Sequence, residues 1–304
     1  MRIYIGNEFV YKNNRNAMVR FYRSSIDISI FEADIALIGV PDDSRSHARR
    51  RGAARAPDTI RWASNESEFF NRNGRTIPTS PMRGSLDDKR IFDAGNVTRE
   101  NLYQLVVDLV TRRKIPIVMG GDHSITTIAL SAIGKVVGKI GLLYFDAHPD
   151  FVSSTRNYYG SVLTDSAESI EYKNSTLIGT RAAEQEELEN ANKVGLEIVS
   201  PMDFAELGLL KVASKVVSRA AGYPKYISID LDCVDPAFAP GVSLPSAGGL
   251  SSIDLVYLAK HVIELGIVGM DIVELSPDFD FNNQTANLAA RIISESIASM
   301  KTLY

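Results

Sequence analysis

The chain has 304 residues, 45% of them hydrophobic and 23% charged, with a formal net charge of -4. This is ordinary globular composition, and its slight acidity excludes the general basic surface that nucleic acid or an anionic membrane would favour in a partner. Cys233 is the single cysteine, so no intrachain disulfide forms and nothing points to an oxidising compartment.

The opening segment, MRIYIGNEFVYKNNRN, turns polar too soon for the apolar region of a signal peptide. No apolar run reaches the roughly 18 residues of a membrane span, so a cytoplasmic location is expected. Residues 35–40 (IALIGV) predict a first buried strand, followed by a basic run of Arg45, Arg49, Arg50 and Arg51 that is expected to be a solvated loop. Leu102, Leu105, Val106, Leu109 and Val110 have helical spacing, and 115–119 (IPIVM), 140–145 (IGLLYF), 175–179 (STLIG) and 226–231 (YISIDL) predict further strands. Pro236 to Gly249 predicts a long loop inside the domain. A helix through Leu255, Leu258, Ala259, Val262 and Ile263, with Ser251 and Ser252 as caps, precedes a strand at 267–275; Leu288, Ile292, Ile293 and Ile297 predict a closing helix. Strand and helix alternate, which specifies a three-layer α/β/α fold with a mainly parallel central sheet, in one domain over 1–304.

Ligands in such sheets lie beyond the carboxyl ends of the strands. Three predicted strands end in chemistry: Gly120-Gly121-Asp122-His123-Ser124, Asp146-Ala147-His148-Pro149-Asp150 and Asp230-Leu231-Asp232. Alternation along extended chain would put Asp230 with Asp232, and Asp146 with His148 and Asp150, on shared faces. Any one fragment by itself is more simply a helix cap, a turn or a hydrogen-bonded core histidine. Together they deliver four carboxylates to one edge, where they would repel unless cations lie between them, and two divalent ions balance four carboxylates. Oxygen and imidazole ligands without thiolate favour manganese over a cysteine-built zinc site. The same alternation turns Cys233 away from the site.

At these residues the sequence resembles the ureohydrolase family, which includes arginase and agmatinase. The resemblance runs from Gly39-Val40-Pro41, Gly52, Pro57, Ile60 and Arg61 through GGDHS at 120–124, DAHPD at 146–150, IGTR at 178–181 and SIDLDCVDPAFAPG at 228–241 to DIVEL at 271–275. It implies an arginase-like α/β/α domain, two Mn2+ ions, hydrolysis of a guanidinium group to urea and an amine, and a homo-oligomer, trimer or hexamer. Carried over by motif, one ion would bind His123, Asp146, Asp150 and Asp230, and the other Asp146, His148, Asp230 and Asp232, with Asp146 and Asp230 bridging. Two such ions acidify a shared water into a nucleophile for a poor electrophile. Asp150 would then pass a proton to the departing amine, and Glu274 would pair with the planar guanidinium. Asp235 is expected to orient its loop, and Asp122 to be the hydrogen-bond partner that a ligating histidine needs.

The sequence departs from the family pattern in three places. Tyr159 stands where a His-Gly pair usually follows DAH, and neither remaining histidine, His47 or His261, is an obvious replacement. The loop Pro240-Gly241-Val242-Ser243-Leu244-Pro245 replaces PGTGTP, with Ser243 and Ser246 keeping hydrogen-bonding capacity. No asparagine follows Asp150 at the arginase-like position, which tilts the expected small guanidinium substrate toward agmatine. Arginase, guanidino-acid hydrolase (with Arg156 as the basic contact) and formiminoglutamase chemistry at the same centre remain alternatives, as does a non-catalytic metal-binding oligomer.

Overall fold

Burial of short Val- and Ile-rich runs on both faces is what a parallel sheet requires, and helices supply the cover. The computed structural model describes residues 3–5, 8–10, 19–25, 27–66, 69–73, 75–78 and 80–301. Much of the polar opening segment therefore lies outside the described residues. An antiparallel pair, β1 (Ile3–Ile5) and β2 (Glu8–Val10), comes first, then β3 (Ile35–Gly39), α1 (Ala56–Glu66), and a second antiparallel pair, β4 (Phe69–Arg72) and β5 (Arg75–Pro78). The chain continues through β6 (Ile91–Asn96), α2 (Arg99–Thr111), β7 (Ile115–Met119), α3 (Ile125–Val137), β8 (Gly141–Phe145), α4 (Val162–Asp165) and β9 (Thr176–Ile178). It ends with α5 (Gln185–Val194), β10 (Glu197–Val199), α6 (Pro201–Leu207), α7 (Leu209–Arg219), β11 (Lys225–Asp230), α8 (Ser252–Ile263), β12 (Gly269–Val273) and α9 (Gln284–Ser299).

One eight-stranded parallel sheet runs β10-β9-β8-β11-β12-β7-β3-β6. Side chains alternate across it into two cores: Leu37, Ile117, Phe145, Ile229 and Ile272 pack with α8 and α9 residues on one face, and Ile38, Val118, Leu142 and Tyr226 with α2 and α3 residues on the other. The six predicted strands all belong to this sheet. Two of its strands were not expected. β6 carries Asp93, whose buried carboxylate takes Arg61 in a two-pronged pair at 2.8 and 2.9 Å, so its polar composition hides a buried strand. β10 has three residues at the sheet edge. The last predicted strand is also shorter than 267–275, stopping at Val273 so that Glu274 lies beyond it. Ser251 caps α8 through a reciprocal pair with Asp254, while Ser252 is the first helical residue.

The order of the strands builds the site. From β7 the chain crosses to β8 and leaves a gap that β11 and β12 fill later, so β7, β12, β11 and β8 stand side by side. Their carboxyl ends open at one edge, where a crevice forms at a reversal of strand order.

Candidate metal centre

His123 follows β7 after a tight turn in which a Cβ on Gly121 would stand 1.9 Å from the Asp42 carbonyl oxygen, so only glycine fits there. Asp146 follows β8 directly, and Asp230 is the last residue of β11. His123 Nδ1 lies 2.9 Å from Asp146 Oδ2, 3.1 Å from Asp150 Oδ2 and 3.3 Å from Asp230 Oδ2. His148 Nδ1 lies 3.1 Å from Asp232 Oδ2 and 3.4 Å from Asp146 Oδ1. All six sequence-predicted ligands therefore converge. Two groups, His123-Asp146-Asp150 and Asp146-His148-Asp232, each offer ligand atoms within 4.8 Å of one another, with Asp146 in both.

The convergence does not arise from strand alternation. Residues Leu231–Cys233 form a single 3-10 turn in which Asp232 N donates to Asp230 Oδ1, and Asp150 has φ 49°, so neither triplet is extended. Cys233 is buried and belongs to neither ligand group, by way of this turn and not by strand direction. Asp122 is a second correction. It accepts from Ser124 N and Arg45 N and makes no bond to the His123 ring. That bond comes from Ser228 on β11, whose Oγ is 2.8 Å from His123 Nε2 and donates to Asp271 Oδ1 at 2.7 Å. Asp271 also accepts from Thr126 and Tyr226.

This chain of bonds sets the tautomer. Ser228 spends its proton on Asp271, so its oxygen accepts Nε2–H and His123 turns a bare Nδ1 toward Asp146. Asp146 Oδ2 is buried without a hydrogen-bond partner. Two acceptors 2.9 Å apart need a cation or a proton between them. Burial opposes the charged form of His123, yet Asp146, Asp150 and Asp230 push it well above its usual range; His148, against Asp232 and Asp146, is likewise held at about 12. Burial and Asp146 push Asp150 up to about 6, and burial with Asp232 raises Asp230 well above the carboxylate range. Positive charge is drawn to two places, and this donor set fits two divalent cations.

A cavity of about 160 Å³ opens over Asp150, His148, Asp230 and Asp232. Glu274, on its wall, has φ 65° and is buried; Oε1 accepts His123 N at 2.9 Å, and Oε2 has no hydrogen-bond partner. Burial holds its carboxyl up at about 8. Tyr159 also lines the cavity, its phenol raised to about 12 by burial and by the nearby Glu274 and Asp150 carboxylates. Glu184 and Glu187 at the start of α5, Tyr158 and Ser243 complete the wall.

Several residues fall elsewhere. Arg156 pairs with Asp165 at 2.5 Å and does not line the cavity. Within the arginine run, Arg49 and Arg51 are exposed, but Arg50 donates to Pro240 O and stacks on Phe279, which a purely solvated loop would not do. Asp235 holds its loop through Ala237 N, Gly248 N and Gly249 N as expected. Ser243 is buried against Ser276, whereas Ser246 contributes only its carbonyl, to Arg181. His261 bonds the Tyr257 carbonyl within α8. His47 is the exception: its ring stacks on Tyr158 at 5.0 Å and meets Tyr159 edge-on at 6.0 Å, at the cavity wall. Tyr144, not anticipated, stacks on His123 and donates to Asp150 Oδ2 at 2.7 Å. Its residue type beside the DAHPD motif was the available signal.

The family model described as Arginase family matches residues 33–298. An agmatinase of Bacillus subtilis (strain 168) is 31% identical over 282 residues, 87% of this chain and 91% of that protein. The mitochondrial guanidino acid hydrolase of Homo sapiens is 30% identical over 284 residues, covering 88% and 78%. The solved structure of proclavaminate amidino hydrolase from Streptomyces clavuligerus superposes with a TM-score of 0.77 at 28% identity, over 88% of this chain and 91% of that one. The substrates in these names differ, and the family match spans every strand that carries the site. This chain belongs to the arginase family and is a ureohydrolase, a hydrolase of linear amidines.

Proposed function

We propose that the chain is an agmatinase-type enzyme that hydrolyses agmatine to urea and putrescine. It would hold two Mn2+ ions, one on His123, Asp146, Asp150 and Asp230 and the other on Asp146, His148, Asp230 and Asp232. The observation that carries the substrate is the cavity wall: it presents Glu274, Glu184 and Glu187, and among the described residues that line it none is Lys or Arg. A guanidinium with a cationic tail suits that wall, while a guanidino acid would bring its carboxylate against two glutamates and lacks Arg156, which is committed to Asp165.

The bound ions would supply Lewis acidity and an acidified water as nucleophile. The protein's own residues do the rest. Glu274 offers the unpartnered Oε2 and a remaining lone pair on Oε1 to the planar guanidinium, whose charge returns the carboxyl to its ionised form. Asp150, whose carboxylate the Tyr144 hydroxyl fixes, would take the proton that the attacking water gives up and hand it to the departing amine nitrogen, which cannot leave as an anion. Tyr159 is placed to donate a hydrogen bond in the cavity, where its raised phenol stays protonated at neutral pH.

The same reading makes the chain a single ureohydrolase domain in the cytoplasm, a homo-oligomer, with neither a nucleic-acid nor a membrane partner. Among the described residues no helix is long and apolar enough to cross a membrane. Urea release by the manganese-loaded protein is expected with agmatine and not with arginine or 4-guanidinobutyrate, and Asp150→Asn is expected to lower kcat by about 10²–10⁴. Urea mainly from 4-guanidinobutyrate would replace the specificity; urea from none of the three would overturn the reading in favour of formimino chemistry or a non-catalytic metal protein.

A further inference from the structure

We propose that Tyr158, backed by His47, is the specificity-determining residue for the far end of the substrate, forming with Glu184 and Glu187 a mouth that takes an ammonium-bearing alkyl tail, an assignment that rests on the agmatinase-type reading. Tyr158 lines the cavity together with both glutamates. One side of its ring is covered by His47, at 5.0 Å and nearly parallel (19°), and Tyr159 meets it edge-on at 5.7 Å. Tyr158 lines the cavity and His47 does not, so His47 reaches the cavity only through the ring it stacks on. The ring also folds back over Gly160, where a Cβ would stand 2.9 Å from its hydroxyl and from Cε2, so glycine at 160 is a condition of this pose.

The pose is held from both directions. Tyr158 N donates to Ser161 Oγ, which in turn donates to Asp165. His47 projects from a loop tied by Gly52 N to Asp43 and by Arg45 N to Asp122, the residue before His123. The mouth is therefore braced on the same turn that presents the metal centre. Asp150, Glu184 and Glu187 line the same cavity as Tyr158, and burial together with these carboxylates raises its phenol to about 12. An aromatic ring beside the exposed Glu184 carboxylate attracts an ammonium by its quadrupole and by charge, whereas it offers a carboxylate nothing; Glu187, whose oxygens accept Phe151 N and Glu184 N, holds that corner of the wall in place. His47 is a positioning residue here: it touches the ring and not the cavity.

The test measures KM and kcat of the manganese-loaded protein on agmatine and on pentylguanidine, a neutral-tailed analogue, and separately the equilibrium binding of 1,4-diaminobutane by calorimetry. Tyr158→Leu is expected to raise KM for agmatine about 10-fold, with a smaller effect on kcat and on pentylguanidine, and to weaken diamine binding by a similar factor. Tyr158→Phe, which keeps the ring, should recover most of that loss, and His47→Ala should move agmatine KM about 3-fold in the same direction. Equal losses on both substrates, or a Tyr158→Phe as impaired as Tyr158→Leu, would overturn the assignment. Agmatine hydrolysis with diamine binding unchanged in Tyr158→Leu sinks this inference and leaves the enzyme reading standing. Diamine binding lost in Tyr158→Leu, with wild-type protein that releases no urea, does the reverse; hydrolysis of a guanidino acid alone removes both.

Discussion

Ser228 shows how a residue inside a quoted motif, but with no role assigned from it, can govern the centre. It lies in mid-strand on β11, and nothing in YISID distinguishes its hydroxyl from a filler between apolar neighbours; only the pairing of β11 with β12 sets it beside Asp271. Because Asp271 takes its proton, it must accept from His123, and Nδ1 is left bare toward the carboxylates. Ser228→Ala should therefore leave the fold intact and weaken Mn2+ binding by about 10–100-fold, measured by metal titration; unchanged affinity would show that the tautomer is set elsewhere. The gathering of the six candidate ligands was legible because three predicted strands end in Asp and His together, although any one of those fragments alone reads as a cap or a turn. The backbone at the site was not: Asp150 and Glu274 both take positive φ, a conformation that costs an ordinary side chain of order 1–3 kcal/mol and that no residue type announces.

At the scale of elements, apolar periodicity found the strands with apolar runs and missed β6, which buries only the apolar side chains of Ile91 and Phe92 beside a charge pair. Arg61 on α1 and Asp93 on β6 are both fully buried, and Asp93 also accepts Phe21 N and Gly95 N. Removing Asp93 takes away the buried countercharge and leaves Arg61 only Asn96 and the exposed Asp58 as acceptors. Asp93→Ala is expected to lose ~3–5 kcal/mol in urea unfolding, and the double variant Arg61→Met with Asp93→Leu to recover a large part of it. A loss near zero for Asp93→Ala would mean that Arg61 finds water or another acceptor. α8 was legible from its apolar spacing and its two candidate serine caps, of which Ser251 is the cap, but α1 was hidden because its buried side includes Arg61 and Ser64.

For the whole molecule the sign of the pH dependence follows from the centre. Asp150 at about 6, Glu187 at about 7 and Glu274 at about 8 lie above the usual 3.8 to 4.5. The folded protein without metal thus binds protons that the unfolded chain has released, and its stability falls as pH rises from about 4 to 8. His148, raised from 6.5 to about 12, adds a loss of the same sign above 6.5, while the lowered Asp232 acts the other way only below about 3.8. The melting temperature of EDTA-treated protein should fall from pH 5 to pH 9, and Mn2+ should raise it more at pH 8 than at pH 6, because metal displaces those protons. A flat profile in EDTA would contradict the electrostatic account. The sequence by itself determined the layer architecture and which Asp and His residues gather at the strand ends, since periodicity and side-chain chemistry are local properties. Only the tertiary structure decided which atoms face each other: the insertion of β11 and β12 between β7 and β8, the Ser228–Asp271 support under His123, and the meeting of His47 with Tyr158 all join residues distant in sequence, through sheet order that no local pattern encodes.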